Sequence, residues 1–188
     1  MASPLGHSLT GLLVHVASAR DAAELRQRKR ALAFACLAAA ADLDLLAWFV
    51  SGRSHHHEVT HSLGFAAAVG IAAGLWARWR SSPGGAGRIG GLAGLAWALH
   101  GLVDFMSRDT SPPFGPMLLW PLSDQYWISP VIVFLDTART LSWATVWKDA
   151  LAMTWETVLL GPPLLLLWHV QRRRLEGPRL LDQRPQVG

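Results

Sequence analysis

Histidine and aspartate recur in this chain in a pattern that could bind a cation. His7 stands near the start, Asp42 and Asp44 share the run AADLD, His55, His56, His57, Glu58, His61 and Ser62 fall within HHHEVTHS, and His100 and Asp104 close HGLVD. On a helix, an i, i+4 pair such as His100 and Asp104 lies on one face about 6 Å apart, a separation at which two groups can share a metal or a water. His57 and His61 have the same spacing, but a helix beginning at Thr60, with Thr60 as its N-cap, leaves His55 to Glu58 in the loop before it and keeps only His61 on the face. Imidazole and carboxylate without thiolate suit zinc, manganese or a similar divalent ion, and there are enough ligands for one or two. Such an ion lowers the pKa of bound water and polarises a phosphoryl or carbonyl oxygen, which is hydrolytic chemistry without a protein nucleophile. Taken singly, each signal has a plainer explanation: Asp42 can bond a neighbouring helix, His100 can be packed and satisfied, and three successive histidines cannot point the same way.

The elements that carry these residues are apolar. Residues 31 to 50 form a twenty-residue stretch interrupted only by Asp42 and Asp44, residues 62 to 77 are apolar but shorter, residues 89 to 106 carry Gly90, Gly91, Gly94 and Ala98, and residues 150 to 170 contain Pro162 and Pro163. Twenty helical residues reach about 30 Å, one hydrocarbon core. The small residues favour close approach of two helices, and the prolines predict a kink. Residues 4 to 18 are too short to span and read as half-inserted or packed on the bundle.

Counting inward from the basic borders, Asp42 is twelve residues past Arg30, His100 twelve past Arg88, His7 thirteen before Arg20 and His61 seventeen before Arg78. Twelve helical residues rise about 18 Å, so in an alternating bundle all four reach one half of the membrane. An ionisable group at that depth costs roughly 2.5 to 3.5 kcal/mol unless paired or hydrated, so several together imply a polar cavity or a bound cation. His15 and His169 fall toward the opposite end and read as structural.

Composition agrees: 51% of the 188 residues are apolar, and six of the ten tryptophans fall between residues 120 and 168, as rings at a headgroup boundary would. The charge of +4 and pI near 10.2 come from short clusters without interleaved stacking aromatics, which argues against nucleic acid. Those clusters (Arg20 to Arg30, Arg78 to Arg88, Arg172 to Arg174) share one side of an alternating bundle, cytoplasmic by the positive-inside rule. The loops with fewer basic residues, carrying Arg53, Arg108, Arg139 and Lys148, are then extracytoplasmic. Residues 107 to 130 read as an ordered loop because their LLWPL core would need burial, and Asp109, Ser123 and Asp124 within it are candidates to line a substrate entrance. The lone Cys36 excludes a disulfide framework or a Cys-based zinc site within one chain, and the start lacks the basic n-region of a cleavable signal peptide.

An early His, a helix ending in DLD, then HHxxxTHS, HxxxD and a Pro-rich loop ending in LLWPLS together resemble the membrane-bound metal-dependent hydrolases of the LexA-regulated, YdjM-like inner-membrane type, over residues 7 to about 123. By that resemblance the metal ligands fall on His7, Asp42, Asp44, His56, His61, His100 and Asp104. Members usually read H-R-G or H-R-E where this chain has His56, His57 and Glu58, so His57 stands where the family carries Arg, a candidate phosphate contact. The candidates for catalysis are Asp44, His57 and, as general base or outer carboxylate, Glu58. The resulting expectation is an all-α polytopic bundle of four to five helices over residues 1–172, with a polar cytoplasmic tail over 173–188, in the inner (plasma) membrane and with its site near the extracytoplasmic face. Its expected partners are the lipid bilayer and a small-molecule or lipid substrate. The expected cofactor is one or two divalent ions, zinc or manganese, and the expected reaction is hydrolysis of a phosphoester or other ester. The alternative is a divalent-metal transporter or a metal-binding membrane protein without catalysis.

Overall fold

The computed structural model describes residues 1–46, 56–80, 84–138 and 142–182, with side chains up to residue 177. Among them the fold is all-α, with one isolated bridge between Ser107 and Phe134. The helices are α1 (Pro4–Ser18), α2 (Ala22–Arg26), α3 (Arg28–Ala39), α4 (Leu63–Trp79), α5 (Ala86–Phe105) and α6 (Trp143–Asp182), with 3-10 turns at Ala40–Asp44 and Val59–His61. His55, Arg53, Arg139 and the last residues of the 31–50 stretch lie outside the described residues.

The short first helix is at the centre of the bundle, packed on α3, α5 and α6. Ser3 starts it: the Gly6 N–H donates to Ser3 Oγ at 3.2 Å, and Pro4 takes the first turn, where a missing N–H costs nothing. Gly11 lets α1 lie against α3, because a Cβ there would strike the Phe34 carbonyl.

The stretch expected as one helix over 31–50 instead leaves the α-helical form at Ala39 and tightens into the turn Ala40–Asp44. The His100 Nδ1 takes the Ala38 carbonyl at 2.7 Å, where the α-helical ladder stops. Aspartate is also a weak helix former, and the poorer hydrogen bonds of a 3-10 turn are offset here by what Asp42 and Asp44 contact. Helix α4 is capped by Ser62 rather than Thr60: the Phe65 N–H donates to Ser62 Oγ at 3.0 Å.

Helices α4 and α5 meet through glycine. A Cβ on Gly90 would lie 2.6 Å from the Gly70 carbonyl oxygen, and one on Gly70 would lie 2.9 Å from that of Gly90, while Gly91 faces open space. Helix α6 runs uninterrupted past Pro162 and Pro163 to Asp182, well beyond the 150–170 stretch. Among the described residues, Trp143–Gly177 is the one helix long and apolar enough to cross a membrane; Leu63–Trp79 is apolar but shorter. The expected four to five spans are therefore met in length and composition by one.

The LLWPL segment is ordered by its backbone rather than by burial. The N–H groups of Leu63 and Gly64 donate to the carbonyls of Leu118 (2.9 Å) and Trp120 (3.0 Å), while Leu122 stays 91% exposed. At the opposite end of α1, Arg88 donates to both carboxylate oxygens of Glu24 (2.8 and 2.7 Å) and to the Ser18 carbonyl. Beside them the buried His15 ring lies 3.1 Å from the Leu25 carbonyl and 3.0 Å from the Arg30 guanidinium, and His169 is exposed.

Candidate metal centre

Four segments deliver the cluster. Helix α1 carries His7, the turn Ala40–Asp44 carries both aspartates, the segment before α4 carries His56, His57 and His61, and α5 carries His100 and Asp104. Two groups of residues can hold a metal ion, each with ligand atoms within 4.8 Å of one another: His7, Asp42, His100 and Asp104, and beside them His56, His57 and His61.

Asp104 sits where the two groups meet. Its Oδ1 is 3.5 Å from His7 Nε2, and its Oδ2 is 3.1 Å from His100 Nε2, 3.5 Å from His61 Nε2 and 3.9 Å from His57 Nε2. Asp42 closes the first group, with Oδ1 at 3.4 Å from His100 Nε2 and 3.6 Å from His61 Nε2, and Oδ2 at 3.9 Å from His7 Nε2. The His7 and His100 rings stack at 3.6 Å with 16° between planes. Two imidazolium rings so placed would repel, whereas two neutral rings can aim at one cation.

On four of the five rings an outer partner meets Nδ1. Asp44 meets two of them, with Oδ1 at 2.9 Å from His56 Nδ1 and Oδ2 at 3.2 Å from His61 Nδ1; it also accepts from Thr60 Oγ1 at 2.9 Å. Ala38 O meets His100, and Asp109 Oδ2 lies 3.3 Å from His57 Nδ1. Holding Nδ1–H fixes the tautomer and leaves Nε2 as the ligand atom. On His56 that atom is 2.9 Å from the Met1 thioether.

The histidine segment is itself clamped. Trp97 Nε1–H donates to the Thr60 carbonyl at 2.7 Å, Gly101 leaves room for the His61 carbonyl, and the Met117 N–H donates to the His57 carbonyl at 2.8 Å. His57 takes the left-handed φ of 68°, unusual for a residue with a Cβ, and the clamps hold it there. Behind it Asp109 accepts from the N–H groups of Ser111 (3.1 Å) and Gly115 (3.0 Å). Burial pushes the Asp109 carboxyl up, but His57 and these two amides outweigh it and hold it below the usual carboxylate range.

Of the residues singled out in the sequence, Glu58 belongs to neither group, Asp124 is exposed, and Ser123 Oγ accepts from the Gln125 N–H at 3.2 Å. One residue was missed. Glu156 of α6 is fully buried and accepts from the Ser3 N–H at 2.7 Å and from the Ser3 hydroxyl, pinning the start of α1, while the Ala2 N–H donates to Asp104 Oδ1 at 3.0 Å. The signal was present: Glu156 is the sole acidic residue between Asp149 and Glu176 in an apolar stretch.

These residues fit a cation. Nine buried atoms here lack a hydrogen-bond partner: both ring nitrogens of His7 and of His57, both oxygens of Asp42, Nε2 of His61 and of His100, and Asp104 Oδ2. Buried polar atoms are rarely left unpaired, and ligand atoms from several such residues within 4.8 Å of one another are what a bound ion satisfies. No curated protein and no solved structure matches the chain. The family model of the YdjM inner membrane proteins matches residues 1–174, a span that contains every histidine and aspartate of the cluster and the membrane-length helix up to its last turn, and the chain belongs to that family.

Proposed function

We propose that this protein is a multi-pass inner-membrane hydrolase that uses divalent cations, zinc or manganese, to cleave a phosphoester or other ester bond, with lipid esters the first substrate class to test. The observation that carries the reading is the convergence of buried, unpaired imidazole and carboxylate atoms from four separate segments. A cation held there supplies a bound water of lowered pKa and polarises the substrate oxygen. The chain's own part is to bind and orient. His7 and His100 present Nε2 toward Asp42 and Asp104, with His61 beside them, and the two carboxylates balance one divalent charge, which a low-dielectric setting requires. Asp44 acts through His56 and His61 by holding their rings. The basic end of the bundle, with Arg30 and Arg88, is the cytoplasmic side by the positive-inside rule, and the metal cluster at the other end of α1 faces the extracytoplasmic half.

The test is turnover of a panel of phosphate and lipid esters by the purified protein with added zinc or manganese. The wild type should release product and His61→Ala should release none while remaining folded. Equal turnover in that variant, or zinc uptake by proteoliposomes without ester cleavage, overturns the proposal.

A further inference from the structure

The geometry points to two adjacent cation positions sharing Asp104, with His57 as a ligand of the second. This deepens the metal-dependent reading above and rests on the same cluster. The His57 side chain is an imidazole, fully buried, with Asp109 behind Nδ1 and no hydrogen-bond partner on Nε2. Its ring lies 4.1 Å from that of His56 and 5.2 Å from that of His61, centroid to centroid, and its Nε2 lies 3.9 Å from Asp104 Oδ2.

Three further observations support a second ion. The first is the repeated outer partner: Asp109 stands behind His57 Nδ1 as Asp44 stands behind His56 and His61, the arrangement that orients a metal-bound imidazole and raises its basicity. The second is charge. Asp42, Asp44, Asp104 and Asp109 bring four negative charges to a site whose histidines are nearly all closed to solvent; one divalent ion neutralises half of that and two neutralise all of it. The third is backbone: His57 is the one non-glycine residue with positive φ among those described, and that conformation turns its ring inward between Asp109 and Asp104. Three imidazoles and one carboxylate oxygen would make a four-ligand set of the kind zinc takes.

Metal content decides the matter independently of turnover. Detergent-purified protein saturated with zinc and desalted should carry two ions per chain by elemental analysis, and His57→Arg, which puts a fixed positive charge in place of the ligand, should carry one. Asp109→Asn should keep two at saturation but release the second to a chelator at roughly 10- to 100-fold lower affinity. Because a variant can fail to fold, His57→Cys loaded with cobalt gives a second readout: a thiolate-to-cobalt charge-transfer band appears only if the side chain at position 57 touches the ion. Saturation of the wild type at one ion, two ions retained by folded His57→Arg, or a folded cobalt-loaded His57→Cys without the band each overturns the inference. Ester hydrolysis with a single bound ion would sink this inference alone, and two bound ions without hydrolysis would sink only the proposed activity.

Discussion

At the scale of single residues, the division between atoms that face the cluster and atoms that stand behind it explains what spacing could and could not disclose. The i, i+4 relation of His100 and Asp104 and the common depth of His7, Asp42 and His61 were legible, because helix rise is a property of the chain alone. The position of Asp44 was not: its partners are His56, Thr60 and His61, in a segment whose path no local pattern encodes. Asp44→Asn should keep the fold but hold only one of the two rings, since an amide offers a single acceptor oxygen. Zinc affinity should then fall about 10- to 100-fold in chelator competition, and wild-type affinity would argue that Asp44 has no part in holding the rings. Away from the site, Arg88 hydrogen-bonds Glu24 and holds its carboxyl down at about 2. A depressed carboxyl stabilises the fold above its ordinary pKa and loses that contribution as pH falls through its folded value. Glu24→Gln should therefore be less stable than wild type at pH 6 by on the order of 1 kcal/mol, with the gap closing between about pH 5 and pH 2 in detergent unfolding. A gap constant with pH would mean that the Glu24 charge is not what stabilises.

The elements show a similar split. Glycine spacing in α5 foretold a close helix pair but not which glycines it would use. Gly90 and Gly70 touch across the pair, while Gly91, one residue on, faces open space. Gly90→Val should cost about 1 to 3 kcal/mol by forcing α4 from α5, and Gly91→Val should cost little, both read from unfolding in detergent. Equal effects would place the contact elsewhere. The break at Ala39 was hidden, since AADLD continues an apolar run and the His100 ring that meets the Ala38 carbonyl comes from a distant helix. The LLWPL segment misled in another way: its apolar side chains promised burial, and backbone bonds to the start of α4 do the ordering instead.

Across the whole molecule, the usual arrangement is inverted. The largest fully buried side chains include His7, His56, His57, His61, His100, Asp104 and Glu156, whereas Leu32, Ile71, Trp79, Trp147 and Leu165 are between 64% and 79% exposed. A surface of that kind suits lipid and not water, so composition revealed the class at once. The number of crossings was less accessible: among the described residues α3 and α4 are shorter than a span, and α5, though 20 residues long, does not meet the apolarity of one. Cys36, the lone cysteine, is exposed on α3 and reports on this point. If α3 lies in the bilayer, Cys36 should resist a charged maleimide in intact membranes and react after unfolding in SDS, and labelling in intact membranes would put α3 at the aqueous surface.

The bond from His100 Nδ1 to Ala38 O has a consequence for timing. A ring flip there would break a bond to a main-chain oxygen in a buried interior, a penalty that favours one facing of the imidazole whether or not anything is bound. Its orientation is settled when the chain folds, so an arriving ion meets at least one ligand that it need not rearrange.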